Sequence, residues 1–142
     1  GPVALPGPGR RAHAPPMTSR VVHFEIPIDD PERASAFYGD VFEWNVVKWG
    51  PVDYWTMTTG EPPGPGAEGA LTPRGESPDG VLVYVGVDDI DKAMAQVRAA
   101  GGTVLTEKMP IPTVGWSARF RDSEGNVIGL FQTDTAAPLP GA

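Results

Sequence analysis

The chain holds two histidines, and only His23 lies in a stretch with regular patterning. It stands in "VVHFEIPI", residues 21–28, with Glu25 two positions further on. In an extended strand, residues two apart share a face. An imidazole and a carboxyl on one strand face are the parts of an acid–base pair that could move a proton on a bound molecule. The same groups can be structural, with Glu25 paired to an arginine such as Arg119 and His23 hydrogen-bonded into the wall. The residues alone leave both readings open.

Other chemistry is poorly supplied. The chain has no cysteine, which removes thiol nucleophiles, disulfides and thiolate metal ligands. "GPGAEG", residues 64–69, has the letters of a dinucleotide loop, but prolines surround it and no helix pattern follows. "GWSAR" lacks the second glycine of a nucleophile elbow. The second histidine, His13, sits in a Pro/Gly-rich start that reads as a disordered tail. Gly1-Pro2 there resembles a protease scar, and Met17 is a candidate natural start.

Aromatic residues are the other resource. Tyr54, Trp55, Tyr84, Trp116 and Phe131, with apolar Leu82, are candidates for a wall that stacks on a planar ligand. In "VDYWTMTTG", Tyr54, Thr56 and Thr58 alternate with Trp55 and Met57; Trp116, Ala118 and Phe120 alternate with Ser117, Arg119 and Arg121. Alternation defines two faces without saying which one meets a ligand. Trp44, just past a predicted helix, is expected to fill the core instead.

The elements that must position these residues come in two copies. A strand at 21–28 leads to Asp30 as N-cap and Pro31 at the first helical position. Ala34, Phe37, Tyr38, Val41 and Phe42 then form an amphipathic stripe. A second apolar strand, Val81–Val87, leads to Asp89, a helical face of Ile90, Met94 and Val97, and Gly101-Gly102 as its stop. Three strand-like pieces follow each helix, and "DSEGN" suits a hairpin turn between the last two. The spacing predicts an α+β fold: two tandem βαβββ modules, about 20–75 and 80–134, forming curled mixed sheets around a cavity with helices outside. Together they make one domain at 18–136, with tails at 1–17 and 137–142. On the first strand, Val21, His23, Glu25 and Pro27 should face the hollow and Val22, Phe24, Ile26 and Ile28 the helices.

Composition bounds the partners. At 142 residues and 40% hydrophobic content, one domain with a real core is expected. A net charge of −7 opposes a phosphate backbone, so nucleic acid is not an expected partner, and no apolar run suits a membrane-spanning helix. A cytoplasmic location is the default expectation.

Two βαβββ modules carrying "FEIPIDDPERASAFYGDVFEW", "VDDIDKAMAQVRAAGG" and "VGWSARFRDSEGNVIGLFQ" resemble the vicinal oxygen chelate superfamily, which includes glyoxalases, dioxygenases and bleomycin-binding proteins. The branch they are most similar to is glyoxalase-like and related to lactoylglutathione lyase. In metal-using members, the resemblance implies, each module supplies two ligands from its first and last strands. His23 matches the first. Its counterpart is Leu82, the closing-strand position is Gly129, and the remaining one falls on Gly69 or Ala70, with Glu68 nearby. At most His23 and Glu68 survive, too few for a catalytic ion. No cofactor is therefore expected. The hollow should be drier and larger than in metal-binding members, and should bind a small apolar or aromatic molecule such as an antibiotic or secondary metabolite. The alternatives are a metal-independent isomerase, lyase or cyclase using His23 and Glu25, and a divalent-metal-dependent lyase or dioxygenase. The resemblance also implies a homodimer.

Overall fold

The computed structural model describes residues 19–76 and 80–139. The N-terminal tail with His13 and the last residues of the C-terminal tail lie outside that range. The first module runs β1 (Arg20–Ile28), α1 (Pro31–Phe42), β2 (Asn45–Lys48), β3 (Trp55–Thr58) and β4 (Glu68–Pro73). The second runs β5 (Leu82–Gly86), α2 (Ile90–Ala99), β6 (Thr103–Ile111), β7 (Gly115–Arg121) and β8 (Val127–Thr133). The two helices begin alike. The Asp30 and Asp89 carboxylates accept from the backbone N–H groups of Arg33 and Lys92, satisfying donors that have no partner inside the helix. They end differently: α1 stops on Glu43 in the left-handed region, while the chain leaves α2 through Gly101 at φ 94°, a value that strains any side chain. No described helix is long and apolar enough to cross a membrane.

The strands form one mixed eight-stranded sheet, ordered β2-β3-β4-β1-β5-β8-β7-β6. Within each module the first and last strands pair in parallel, and β1 joins β5 antiparallel at the centre. In that central ladder His23 lies opposite Tyr84 and Glu25 opposite Leu82. The modules are therefore related by a two-fold between Phe24 and Val83. Two curled half-sheets were expected, and they merge because pairing β1 with β5 leaves neither module an open inner edge.

Both helices cover the same face. Beneath α1, Ile28, Met57 and Leu71 form a buried cluster joined by Phe24, Tyr38, Trp44 and Trp55. Beneath α2, Ile90, Ala93 and Met94 pack on Val87, Ala118 and Leu130. The sheet curls away from the helices, so its other face is concave. Three expectations need correction. A bulge between Val21 and His23 breaks the alternation of β1, and the Val22 side chain packs against Gly86 rather than under a helix. The central strand of module two is Leu82–Gly86, and Val81 is left 61% exposed before it. The α1 stripe buries none of its residues fully, with Phe37 and Val41 more than half exposed.

Leu71 is fully buried, so Leu71→Ala should lower unfolding free energy by about 2–5 kcal/mol in urea titration. Asp89→Ala, which removes only a cap, should cost about 1 kcal/mol.

Candidate functional site

Strand pairing places the candidate residues in rows across the concave face. One row runs Arg119, Gly129, Tyr84, His23, Glu68 through β7, β8, β5, β1 and β4. The next runs Leu82, Glu25, Ala70, Thr56. Small residues sit at equivalent places in the two modules, Ala70 beside Glu25 and Gly129 beside Tyr84. A Cβ at Gly129 would overlap the Tyr84 ring, so that ring occupies the space a longer side chain would need. The hollow is thus not enlarged at this point; an aromatic ring replaces the missing group.

Three polar side chains converge on His23 and Glu25. The Tyr54 hydroxyl lies 2.6 Å from His23 Nε2. The Tyr84 hydroxyl donates to Glu25 Oε1 at 3.0 Å. Arg119 Nη2 lies 3.5 Å from the same oxygen and donates to the Tyr84 hydroxyl at 3.4 Å. Glu25 is only 6% exposed. A carboxylate at that depth needs charge and hydrogen bonds to offset lost hydration, and Arg119 and the Tyr84 phenol supply them. The rings of Trp49, Tyr54, His23 and Tyr84 form a continuous series, with successive centroids 6.0, 6.4 and 5.5 Å apart.

Burial controls the protons. Desolvation pulls His23 below its ordinary value, against the opposing pull of Glu25, a backbone hydrogen bond at Glu68 and the Glu68 charge. The imidazole is therefore neutral at pH 7 and can take a proton or accept a hydrogen bond. Desolvation, followed by the adjacent Glu25 charge, pushes both phenols up, Tyr84 to about 12 and Tyr54 further. Both stay protonated across the physiological range as hydrogen-bond donors. The arrangement can bind and orient a polar group against an aromatic surface and, through His23 and Tyr54, exchange a proton with it. Glu25 lies below that surface, where it orients its neighbours.

Of the residues singled out in the sequence, His23, Glu25, Tyr54, Leu82, Tyr84 and Phe131 share the concave face. Trp55 and Trp116 do not. Trp55 packs in the cluster under α1, and Trp116 lies on the α2 side, where its Nε1 donates to Asp134 and the Lys108 ammonium sits 4.6 Å above its ring. The helix-packed face of each strand took the larger, more apolar set. Arg119 proved to be the structural partner of Glu25. Its place opposite Gly129 follows from counting back from the turn, where Asp122 N–H donates to the Asn126 carbonyl and Arg121 pairs with Val127.

The donor set does not fit a divalent ion. Register identifies Ala70, not Gly69 or Glu68, as the counterpart of Gly129, so the positions expected to carry ligands hold His23, Leu82, Ala70 and Gly129. Only His23 has a donor, and its Nε2 faces a phenol. Glu68 is exposed beside it. Among the described residues no three or more His, Asp or Glu side chains are grouped to hold a metal.

Comparison with known proteins agrees on the fold. The family model described as the Glyoxalase/Bleomycin resistance protein/Dioxygenase superfamily matches residues 20–130. A "Glyoxylase-like domain-containing protein" from Didymella fabae is 34% identical over 116 residues, covering 78% of this chain and 91% of that one. A Mycobacterium bovis protein, named provisionally as the glyoxylase CFP32, is 30% identical over 128 residues. That match covers 81% of this chain but spans only 44% of the mycobacterial protein. Among solved structures, methylmalonyl-CoA epimerase from Mycobacterium tuberculosis superposes with a TM-score of 0.62 at 20% identity, covering 83% of this chain and 88% of that one. A Mn(II)-bound glyoxalase from Novosphingobium aromaticivorans gives 0.57 at 21%, covering 89% and 42%.

Two outcomes test this geometry. A histidine held below its unfolded value of 6.5 contributes stability that is present above that pH and lost as pH falls through the folded value. The urea midpoint should therefore drop between pH 7.5 and 5.5, and His23→Gln should flatten that slope. Separately, Gly129→Ala should destabilise by about 1–3 kcal/mol through overpacking, and by much less in a Tyr84→Ala background, as a double-mutant cycle would show.

Proposed function

Because the chain belongs to the glyoxalase/bleomycin resistance protein/dioxygenase superfamily, we propose that it is a metal-independent receptor for a small aromatic molecule, held on the concave face against Tyr54, His23 and Tyr84. An antibiotic or other secondary metabolite is the ligand class this reading favours. The observation that carries it is the continuous ring series over a buried carboxylate paired with Arg119. Such a surface offers a planar guest stacking area together with phenol and imidazole hydrogen bonds that keep their protonation state near neutral pH. The poor donor set supports metal independence. A homodimer is part of the reading, supported by the exposed Phe37 and Val41 of α1 and by the open outer edges at β2 and β6.

A second reading rests on the 2.6 Å contact between a neutral imidazole and a phenol. In a metal-free isomerase, lyase or cyclase, His23 would take a proton from the ligand and Tyr54 would stabilise the resulting charge, with Glu25 holding the neighbouring Tyr84 in place.

Calorimetric titration of chelator-treated protein against planar aromatic compounds should give binding that is unchanged by added Mn²⁺ or Zn²⁺. Tyr54→Phe should weaken it about fivefold, the worth of roughly 1 kcal/mol for one hydrogen bond. Binding that appears only with metal would sink the proposal. Recovery of the ligand unchanged marks a receptor; turnover lost in His23→Ala while binding persists marks the enzyme.

A further inference from the structure

We infer that the ligand carries an apolar extension beside its planar part, seated on Val22, Phe131 and Met109 at one end of the concave face; this rests on the ligand-binding reading of that face. Strand register aligns these residues. Met109 pairs with Ser117, Ser117 with Phe131, and Phe131 with Gly86. Paired residues share a face of the sheet. Trp116, next to Ser117, packs on the α2 side, so the row Met109, Ser117, Phe131, Gly86 faces the hollow. Val22 completes the row from β1. A Cβ at Gly86 would lie 3.0 Å from Val22 Cγ1, so the valine covers the glycine on that same face.

The row continues the ring series. Val22 precedes His23, and Phe131 and Gly86 stand two residues beyond Gly129 and Tyr84 in the paired strands β8 and β5. Two residues of strand span about 7 Å, so a guest stacked on Tyr84 and His23 reaches the row with a short chain. Local structure is bent to make this surface. A regular β1 would turn Val22 toward the helices with Phe24 and Ile26. The bulge between Val21 and His23 turns it into the hollow instead, and the absent side chain of Gly86 leaves it room. Val22 is 39% exposed there and Met109 57%. Apolar groups left in water on a concave surface gain in proportion to the area that an apolar guest covers. Arg20, also opposite Gly86, bounds the apolar stretch at the outer rim.

Calorimetric titration with phenol, 4-ethylphenol and 4-butylphenol reads the extension directly. Each added methylene should tighten binding about threefold as it leaves water for apolar cover, so butyl should exceed ethyl by about tenfold. Met109→Ser and Val22→Ser, at exposed positions, should each cut that butyl gain by more than half. Val41→Ser, exposed on α1 across the sheet, should leave the gain intact. Equal affinity for the three phenols overturns the inference while the ligand-binding reading stands. A butyl gain that survives both serine variants of the row overturns the assignment to Val22 and Met109. Self-association lost in Met109→Ser, read by sedimentation, with the butyl gain intact gives the row to a second copy of the chain and overturns the inference as well. No binding by any of the three phenols overturns the ligand-binding reading with it.

Discussion

A carboxylate buried near the middle of the sheet sets the terms for everything around it. Left alone, the charge of Glu25 would cost several kcal/mol of lost hydration. Its partners come from distant parts of the chain: Tyr84 from β5 and Arg119 from β7. Satisfying one acid therefore ties the two modules together. It also fixes the orientation of each group that faces the hollow. A surface ion pair would exert no such control, because water would take the place of either partner at little cost.

The duplication explains why these groups meet. Antiparallel pairing of β1 with β5 brings His23 to Tyr84 and Glu25 to Leu82, each residue opposite the neighbour of its own counterpart. Equivalent positions then carry different chemistry: imidazole against leucine, carboxylate against phenol, alanine against glycine. Ala70 and Gly129 are the places where neighbouring rings can come close. The centre is a network of hydrogen bonds among aromatic groups rather than a cage of hard donors. That difference separates binding by shape and hydrogen bonding from binding to an ion.

The Arg119 contact also divides labour between the modules. The first contributes the imidazole and Tyr54; the second contributes Tyr84 and Arg119. On the proposed reading, a ligand lying across β1 and β5 would meet both. The aromatic rings supply area at low entropic cost, since each has few rotatable bonds.

Much of this was legible before folding. The caps at Asp30 and Asp89, the two helix stripes, the repeat of strand, helix and three strands, and the shared face of His23 and Glu25 depend on neighbours close in sequence. Composition and periodicity report such local effects. Register across the "DSEGN" turn was also within reach, and with it the position of Arg119 opposite Gly129. Only tertiary structure decided which alternating set of β3 and β7 turned inward. Tyr54/Thr56 and Ser117/Arg119 face the hollow because Trp55, Met57, Trp116 and Ala118 pack under helices brought in from elsewhere in the chain. The bulge that turned Val22, and the contact of His23 with a tyrosine thirty-one residues away, belong to the same class. Alternation along a strand names two faces, but the helix that covers one of them determines which is buried, and that packing is not encoded within the strand.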